Sequence, residues 1–292
     1  MKKLLGYIRL MRPANVVTAV ADVLAGMALA GYFMGTASYL PVLLLCLSTI
    51  GLYSGGIILN DVFDAELDAR ERPERPIPSG LISKKAATLF GGIFFFIGIF
   101  TAGLYNPASQ YLAAAIMVSC LIYDKFLKHS AIFGPLNMGL CRGLNLLLGM
   151  SIIPSAIQQW WFLAIVPIIY IASVTMVSRA EVHGGSKKML YFAALLYTLV
   201  ISSILFFGIR QGNLPLTAVF VLGFALMIFI PLLRAMKNPI GPNIGKAVKA
   251  GVIALILMNA AWASAFGMVQ IALFIVILLP VSLMLGKAFA VT

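Results

Sequence analysis

The run LPVLLLCLSTIGLYSGGIILNDVFDAELDARERPERPIPSG, Leu40 to Gly80, decides how this chain is read. Its first half, Leu40 to Leu59, holds no charged residue. About 20 consecutive apolar residues is what a helix needs to cross the hydrocarbon core of a bilayer. Its second half holds six of the chain's nine acidic residues, together with Arg70, Arg72 and Arg75. A membrane helix that ends in a knot of carboxylates points to a lipid-embedded fold with polar work at one face of the membrane.

The apolar pattern recurs along all 292 residues, with candidate spans near 14–34, 40–59, 86–104, 108–127, 134–154, 160–180, 189–208, 214–234, 249–267 and 268–286. The chain is 62% hydrophobic and only 10% charged, where a soluble domain carries roughly 25%. Short alternating segments, the mark of a β-barrel, do not occur. The fold expected is all-α, a polytopic membrane helical bundle of nine or ten spans built as a single domain over residues 1–292. The count turns on Gly267, where the last apolar stretch reads as two helices or one kinked one, and Lys287 favours two. Cys46, Cys120 and Cys141 fall in or at the ends of spans without metal or disulfide spacing, as small packing residues do.

Net charge is +12. With the N-terminus inside, Lys2, Lys3, Arg9 and Arg12 share a side with Arg70, Arg72, Arg75, Lys84, Lys85, Lys125, Lys128, Arg179, Lys187 and Lys188. The remaining basic residues follow, except Arg210 on an outer loop and Arg142 within a span. That distribution is the positive-inside pattern, so the basicity reports topology and an anionic substrate, not nucleic acid. The N-terminus lacks a cleavage site and reads as a retained amphipathic lead-in. The location expected is a bacterial inner membrane, with the N-terminus and the polar loops cytoplasmic.

Three inner loops hold eight of the nine acidic residues; Asp22, in the first span, is the ninth. In the first loop, Asn60, Asp61, Asp64 and Asp68 project at about 0°, 100°, 40° and 80° around a helix continuing from the second span, so they share a face. Carboxylates crowded together resist joint ionisation unless a cation neutralises them. Oxygen donors without His or Cys indicate Mg²⁺, which keeps several waters and bridges phosphates. The helix is expected to end near Arg72, because Pro73, Pro76 and Pro78 cannot continue it. Arg72 and Arg75 then stand on a stiff loop suited to phosphate oxygens. The competing reading is a solvated loop whose charges merely pair with one another.

The second loop, YDKFLKHSAIFGPLNMGLCRGLNLLLG, carries Tyr123, Asp124, Lys125 and Lys128, followed by Asn137, Arg142 and Asn145 within the next span. Arg142 and Asn145, three apart, share a face and make a polar stripe. Arg142 either faces a polar cavity or is held structurally by Asp22 or a backbone carbonyl. The third loop, MVSRAEVHGGSKK, offers Glu181 and His183, which do not share a helical face, so zinc is not expected.

Asn60-Asp61-x-x-Asp64-x-x-x-Asp68 followed by Arg72-x-x-Arg75-Pro76-Ile77-x-x-Gly80 resembles the first aspartate-rich motif of the UbiA superfamily of intramembrane prenyltransferases. RPANVVTAVADVLAG, Arg12 to Gly26, is similar to that family's opening helix, and YDKFLK resembles its Tyr-x-x-x-x-Lys element. The loop SRAEVHGG with NMGLCRGLNLLLG is similar to the EboC-like branch. The resemblance implies helices ringed around a central cavity, open here to the cytoplasmic side, with a prenyl diphosphate held through Mg²⁺. It implies Asn60, Asp61, Asp64 and Asp68 as metal ligands and Asn15, Asn60, Arg72, Tyr123, Lys128, Asn137 and Arg142 as substrate contacts. Asp61, Asp64, Asp68 and Glu181 would carry catalysis. A second acidic motif is expected after the sixth span, and Glu181 alone stands there. The function expected is transfer of an isoprenyl group to an unidentified acceptor. The alternative is a UbiA-like isoprenoid-binding or transport-associated protein without activity. CDP-alcohol phosphotransfer ranks below both, since its Asp-Gly-x-x-Ala-Arg opening is missing.

Overall fold

The computed structural model describes residues 2–35, 38–183 and 187–289, and the side chains of 180–183 lie outside the description. All regular structure among the described residues is helical. The helices are α1 (Lys2–Met11), α2 (Pro13–Leu29), α3 (Tyr39–Phe63), α4 (Ala65–Glu71), α5 (Lys84–Tyr105), α6 (Pro107–Ile122), α7 (Phe133–Met150), α8 (Pro154–Trp160) and α9 (Ile165–His183). They continue with α10 (Lys187–Arg210), α11 (Leu214–Lys237), α12 (Gly241–Ala265) and α13 (Val269–Phe289).

Among the described residues, eight segments are long and apolar enough to cross a membrane. The other two expected spans correspond to α2, of 17 residues, and α7, of 18, which are shorter and carry Asp22, Arg142 and Asn145. Their burial explains the difference. α2 is buried along most of its length and α7 along its second half, and there their polar groups meet partners. Gly267, at φ 81°, separates α12 from α13, so the last stretch is two helices.

Neighbouring helices close a ring from α2 through α3, α5, α6, α7, α9, α10, α11 and α12 to α13, which returns to α2. Ser282 Oγ donates to Ala14 O at 2.9 Å across that closure. Leu89, Phe96, Phe100, Tyr111 and Leu222 stand exposed on the outer surface, as lipid-facing side chains do, whereas Asp22, Asn145 and Asn259 are buried. The bundle thus keeps its polar groups inside.

Small residues set the spacing. A Cβ on Gly26 of α2 would lie 2.2 Å from Leu146 O, and one on Gly149 of α7 would lie 2.1 Å from Val23 O. The two backbones therefore touch, and only glycine on each side permits it. That contact brings Asp22 against Arg142. At the far ends, Asn106 caps α6 by accepting from Ser109 N at 2.8 Å and donates to Ser151 O at 3.0 Å, tying α5 and α6 to the end of α7.

Candidate active site

The acidic face survives a break in the helix. Asp64 lies at the junction of α3 and α4 with ψ near −1°, so two helices replace the single one expected. Asp64 N still donates to Asn60 O at 2.9 Å and Asp68 N to Asp64 O at 2.8 Å, so the face carries across. Asp61 and Asp68, two turns apart, are both buried, and Arg75 Nη1 reaches both, at 3.5 and 2.7 Å. Glu66 and Arg70 are exposed on the opposite side, the solvated half of the charge run.

The proline-rich loop earns its stiffness by docking. Ile77 and Ile82 are buried with Leu10, Ile58, Val62 and Ala87 in a small apolar cluster, and Ile82 N donates to Pro76 O at 3.0 Å. Arg75 is turned back onto the acids. Arg72, by contrast, caps α4 through its backbone N–H, which donates to Asp68 O, while its exposed side chain makes no hydrogen bond or ion pair with the described residues. The helix ends one residue before it, which swings it away from the acidic face.

Arg12 completes the pairing. It caps α2 ahead of Pro13 with φ 46° and ψ 65°, and it is the one non-glycine residue with positive φ among the described residues. Such a backbone costs about 1–3 kcal/mol. Arg12 Nη2 donates to Asp61 Oδ1 at 2.6 Å, a charge-assisted bond that holds the turn.

From the second loop, a π-helical turn over Tyr123–Leu127, closed by Lys128 N to Tyr123 O at 2.9 Å, carries Tyr123, Asp124 and Lys128 to the same place. Lys128 pairs with Asp64. Asp124 Oδ1 accepts from Asn60 Nδ2 at 2.6 Å. Arg179 of α9 fastens the loop by donating to the carbonyls of Ser130 and Lys128.

Of these groups, Arg12, Asn60, Tyr123, Asp124 and Lys128 line a cavity of about 290 Å³ together with Asn15, Thr49, Leu52, Tyr53, Ile57, Ile116, Arg142, Asn145, Val174 and Val252, among others. That size lies near the lower end for ligand sites. Asp61 and Asp64 do not line the cavity but are tied to it through Arg12 and Lys128, and Asp68 and Arg75 lie behind them. Asn15 Oδ1 is buried in the cavity without a hydrogen-bond partner among the described residues. Deeper in, Arg142 Nη1 donates to Asp22 Oδ2 at 2.7 Å and Nη2 to Thr18 Oγ1 and Tyr53 OH at 2.8 and 2.9 Å, with the guanidinium over the Tyr53 ring. Asn145 and Asn259 also donate to Asp22, at 3.1 and 2.7 Å. Arg142 is therefore both a cavity residue and the buried partner of Asp22.

Asn137 does not line the cavity. Its Nδ2 donates to Ser119 O at 2.8 Å and joins α7 to α6. The side chains of Glu181 and His183 lie outside the described residues. Arg12, Asp124 and Arg179 were legible only as interfacial charges. Their partners are 49 to 64 residues away, and no local spacing announces such pairs.

The donor set fits a hard divalent cation. Asn60, Asp61, Asp64 and Asp68 offer oxygens alone, and Arg12, Arg75 and Lys128 already neutralise the carboxylates as stand-in cations. No three His, Cys, Asp or Glu side chains among the described residues converge to enclose an ion unaided. Water and phosphate oxygens would complete its shell.

Residues 19–241 match the model of the UbiA prenyltransferase family. The chain is 31% identical over 238 residues to a digeranylgeranylglyceryl phosphate synthase of Methanothrix thermoacetophila, covering 76% of this chain and 87% of that one. A synthase of the same name from Saccharolobus solfataricus is 31% identical over 61% of each chain. In fold it is similar to a UbiA homologue from Aeropyrum pernix, with TM-score 0.70, 15% identity, and coverage of 84% of this chain and 96% of the other. A UbiA homologue from Archaeoglobus fulgidus bound to GPP and Mg²⁺ superposes with TM-score 0.63 at 16% identity, covering 86% and 99%.

Proposed function

The chain belongs to the UbiA prenyltransferase family, and on that premise we propose that it joins an isoprenyl group to a hydroxyl of a glycerophosphate-type acceptor. It is an intramembrane prenyltransferase that uses a prenyl diphosphate and Mg²⁺. The observation that carries the site is the alternation of acids and bases, Arg12–Asp61–Arg75–Asp68 and Lys128–Asp64, joined through Arg12 and Lys128 to a cavity with apolar walls.

Asn60, Asp61, Asp64 and Asp68 would hold the metal. Mg²⁺, when bound, withdraws charge from the diphosphate and eases heterolysis of the allylic C–O bond. Arg75 and Lys128 exchange carboxylate partners for phosphate oxygens and stabilise the leaving group as its charge grows. Arg75, not Arg72, is the loop arginine for this role, since it already faces the acids. The bond's electron pair departs with the diphosphate, the acceptor oxygen bonds to the allylic carbon, and the hydroxyl proton is released. Leu52, Ile57, Ile116, Val174 and Val252 keep water from capturing the cation.

The acceptor class is supported by the two synthases, whose product name specifies a glyceryl phosphate. These relatives are archaeal, so the membrane proposed is a cytoplasmic one without assignment to bacteria, with the acidic loop on its inner side. The test is purified protein in nanodiscs with Mg²⁺, labelled geranylgeranyl diphosphate and geranylgeranylglyceryl phosphate. An ether product with stoichiometric diphosphate is expected. Diphosphate release without ether would remove the acceptor assignment. Asp64→Ala should lower turnover by orders of magnitude while keeping its fold, and full activity in excess Mg²⁺ would refute the site.

A further inference from the structure

Asp124 is the lone acid of the second loop, outside the acidic run of residues 61–74, yet it lines the cavity. The π-helical turn widens the chain by one residue, and Asp124 and Lys128, four apart, both reach the cavity wall. There Asp124 Oδ1 accepts from Asn60 Nδ2 at 2.6 Å.

That bond fixes more than a distance. A carboxylate only accepts hydrogen bonds, so the NH₂ branch of the Asn60 carboxamide must face Asp124. The group is planar, and its oxygen lies on the other branch. Asn60 Oδ1 makes no hydrogen bond with the described residues and belongs to a residue adjoining Asp61 at the cavity wall. An apolar side chain opposite Asn60 would leave the carboxamide free to turn over, whereas an accepting oxygen there holds its NH₂ branch.

We propose that Asp124 is a positioning residue, holding the Asn60 carboxamide so that its oxygen is presented to a divalent cation. The inference rests on the prenyl-transfer reading for the presence of that cation. Groups that orient metal ligands in this way change affinity by about 10- to 100-fold when removed.

Mn²⁺ titration of the purified chain followed by electron paramagnetic resonance tests this, with inorganic pyrophosphate as the phosphate probe and neither donor nor acceptor present. Asp124→Asn keeps an accepting oxygen for Asn60 and should bind Mn²⁺ within about threefold of wild type. Asp124→Ala should bind about tenfold more weakly or worse. Asp124→Ser, too short to reach Asn60, carries the same expectation should the alanine variant not fold. In an Asn60→Leu background, Asp124→Ala should cause no further loss. Wild-type affinity in both the alanine and serine variants overturns the inference. So does an asparagine variant as weak as alanine, which would make charge the operative property, or a wild-type chain that binds no Mn²⁺. Because no prenyl substrate is used, failure of the transfer reading would leave these affinity ratios unchanged.

Discussion

Asp22 is only 1% exposed, and its carboxylate meets Arg142, Asn145 and Asn259, so one buried charge joins α2, α7 and α12. An ion pair in this setting is costly to form, and much costlier to break by removing one member. Arg142→Met should therefore destabilise the fold by about 3–5 kcal/mol, and Asp22→Leu by a similar amount, because each leaves an unpaired charge. The double variant should recover much of the loss. Thermal unfolding of the four proteins in detergent measures this, and a double variant no more stable than either single one would assign the loss to packing. At this scale the acids of the first motif were readable because helical periodicity is local. The partners of Asp61, Asp22 and Asn60 were not, because they depend on contacts across 49, 120 and 64 residues. Arg142 shows the limit well. Its place in an apolar run signals a partner, and two candidate roles followed; the geometry satisfies both.

Helix ends account for most of the differences between pattern and structure. Periodicity carries α3 straight through the acids, whereas the backbone opens at Asp64 and restarts as α4. Prolines mark where α4 must stop, but not that Arg72 faces away while Arg75 returns, since that follows from the docking of Ile77 and Ile82. The contact of α2 with α7 is the element on which the deeper cavity depends, and it rests on glycine at both sides. Gly149→Val should push the helices apart, with a cost of at least about 1–3 kcal/mol from overpacking. A methyl-bearing carbon 2.1 Å from Val23 O has no flexible neighbour to displace, only backbone. Circular dichroism melts of Gly149→Val and of Gly92→Ala provide the measurement. An added Cβ at Gly92 meets nothing within 4 Å, so that variant should melt near wild type. Equal melting of the two would show that the helix contact is looser than the geometry requires.

On the scale of the whole molecule, the ring of helices sorts charge in two directions at once. Across the bundle, polar groups face inward and apolar ones outward. Along the membrane normal, basic residues gather at the end that carries the acidic loop, while the α10–α11 turn at Gln211 and Gly212 is accompanied by Arg210 alone. Cytoplasmic loops retain Lys and Arg because moving them across the membrane is unfavourable, so the acidic loop and the cavity mouth beside it should face the cytoplasm. Single cysteines placed at exposed Ser79 and exposed Gln211, in a chain whose three native cysteines are replaced, test this. In right-side-out vesicles an impermeant maleimide should label the Gln211→Cys chain at once. The Ser79→Cys chain should react only after the membrane is permeabilised. The reverse order would invert the molecule and put the diphosphate site on the outer face.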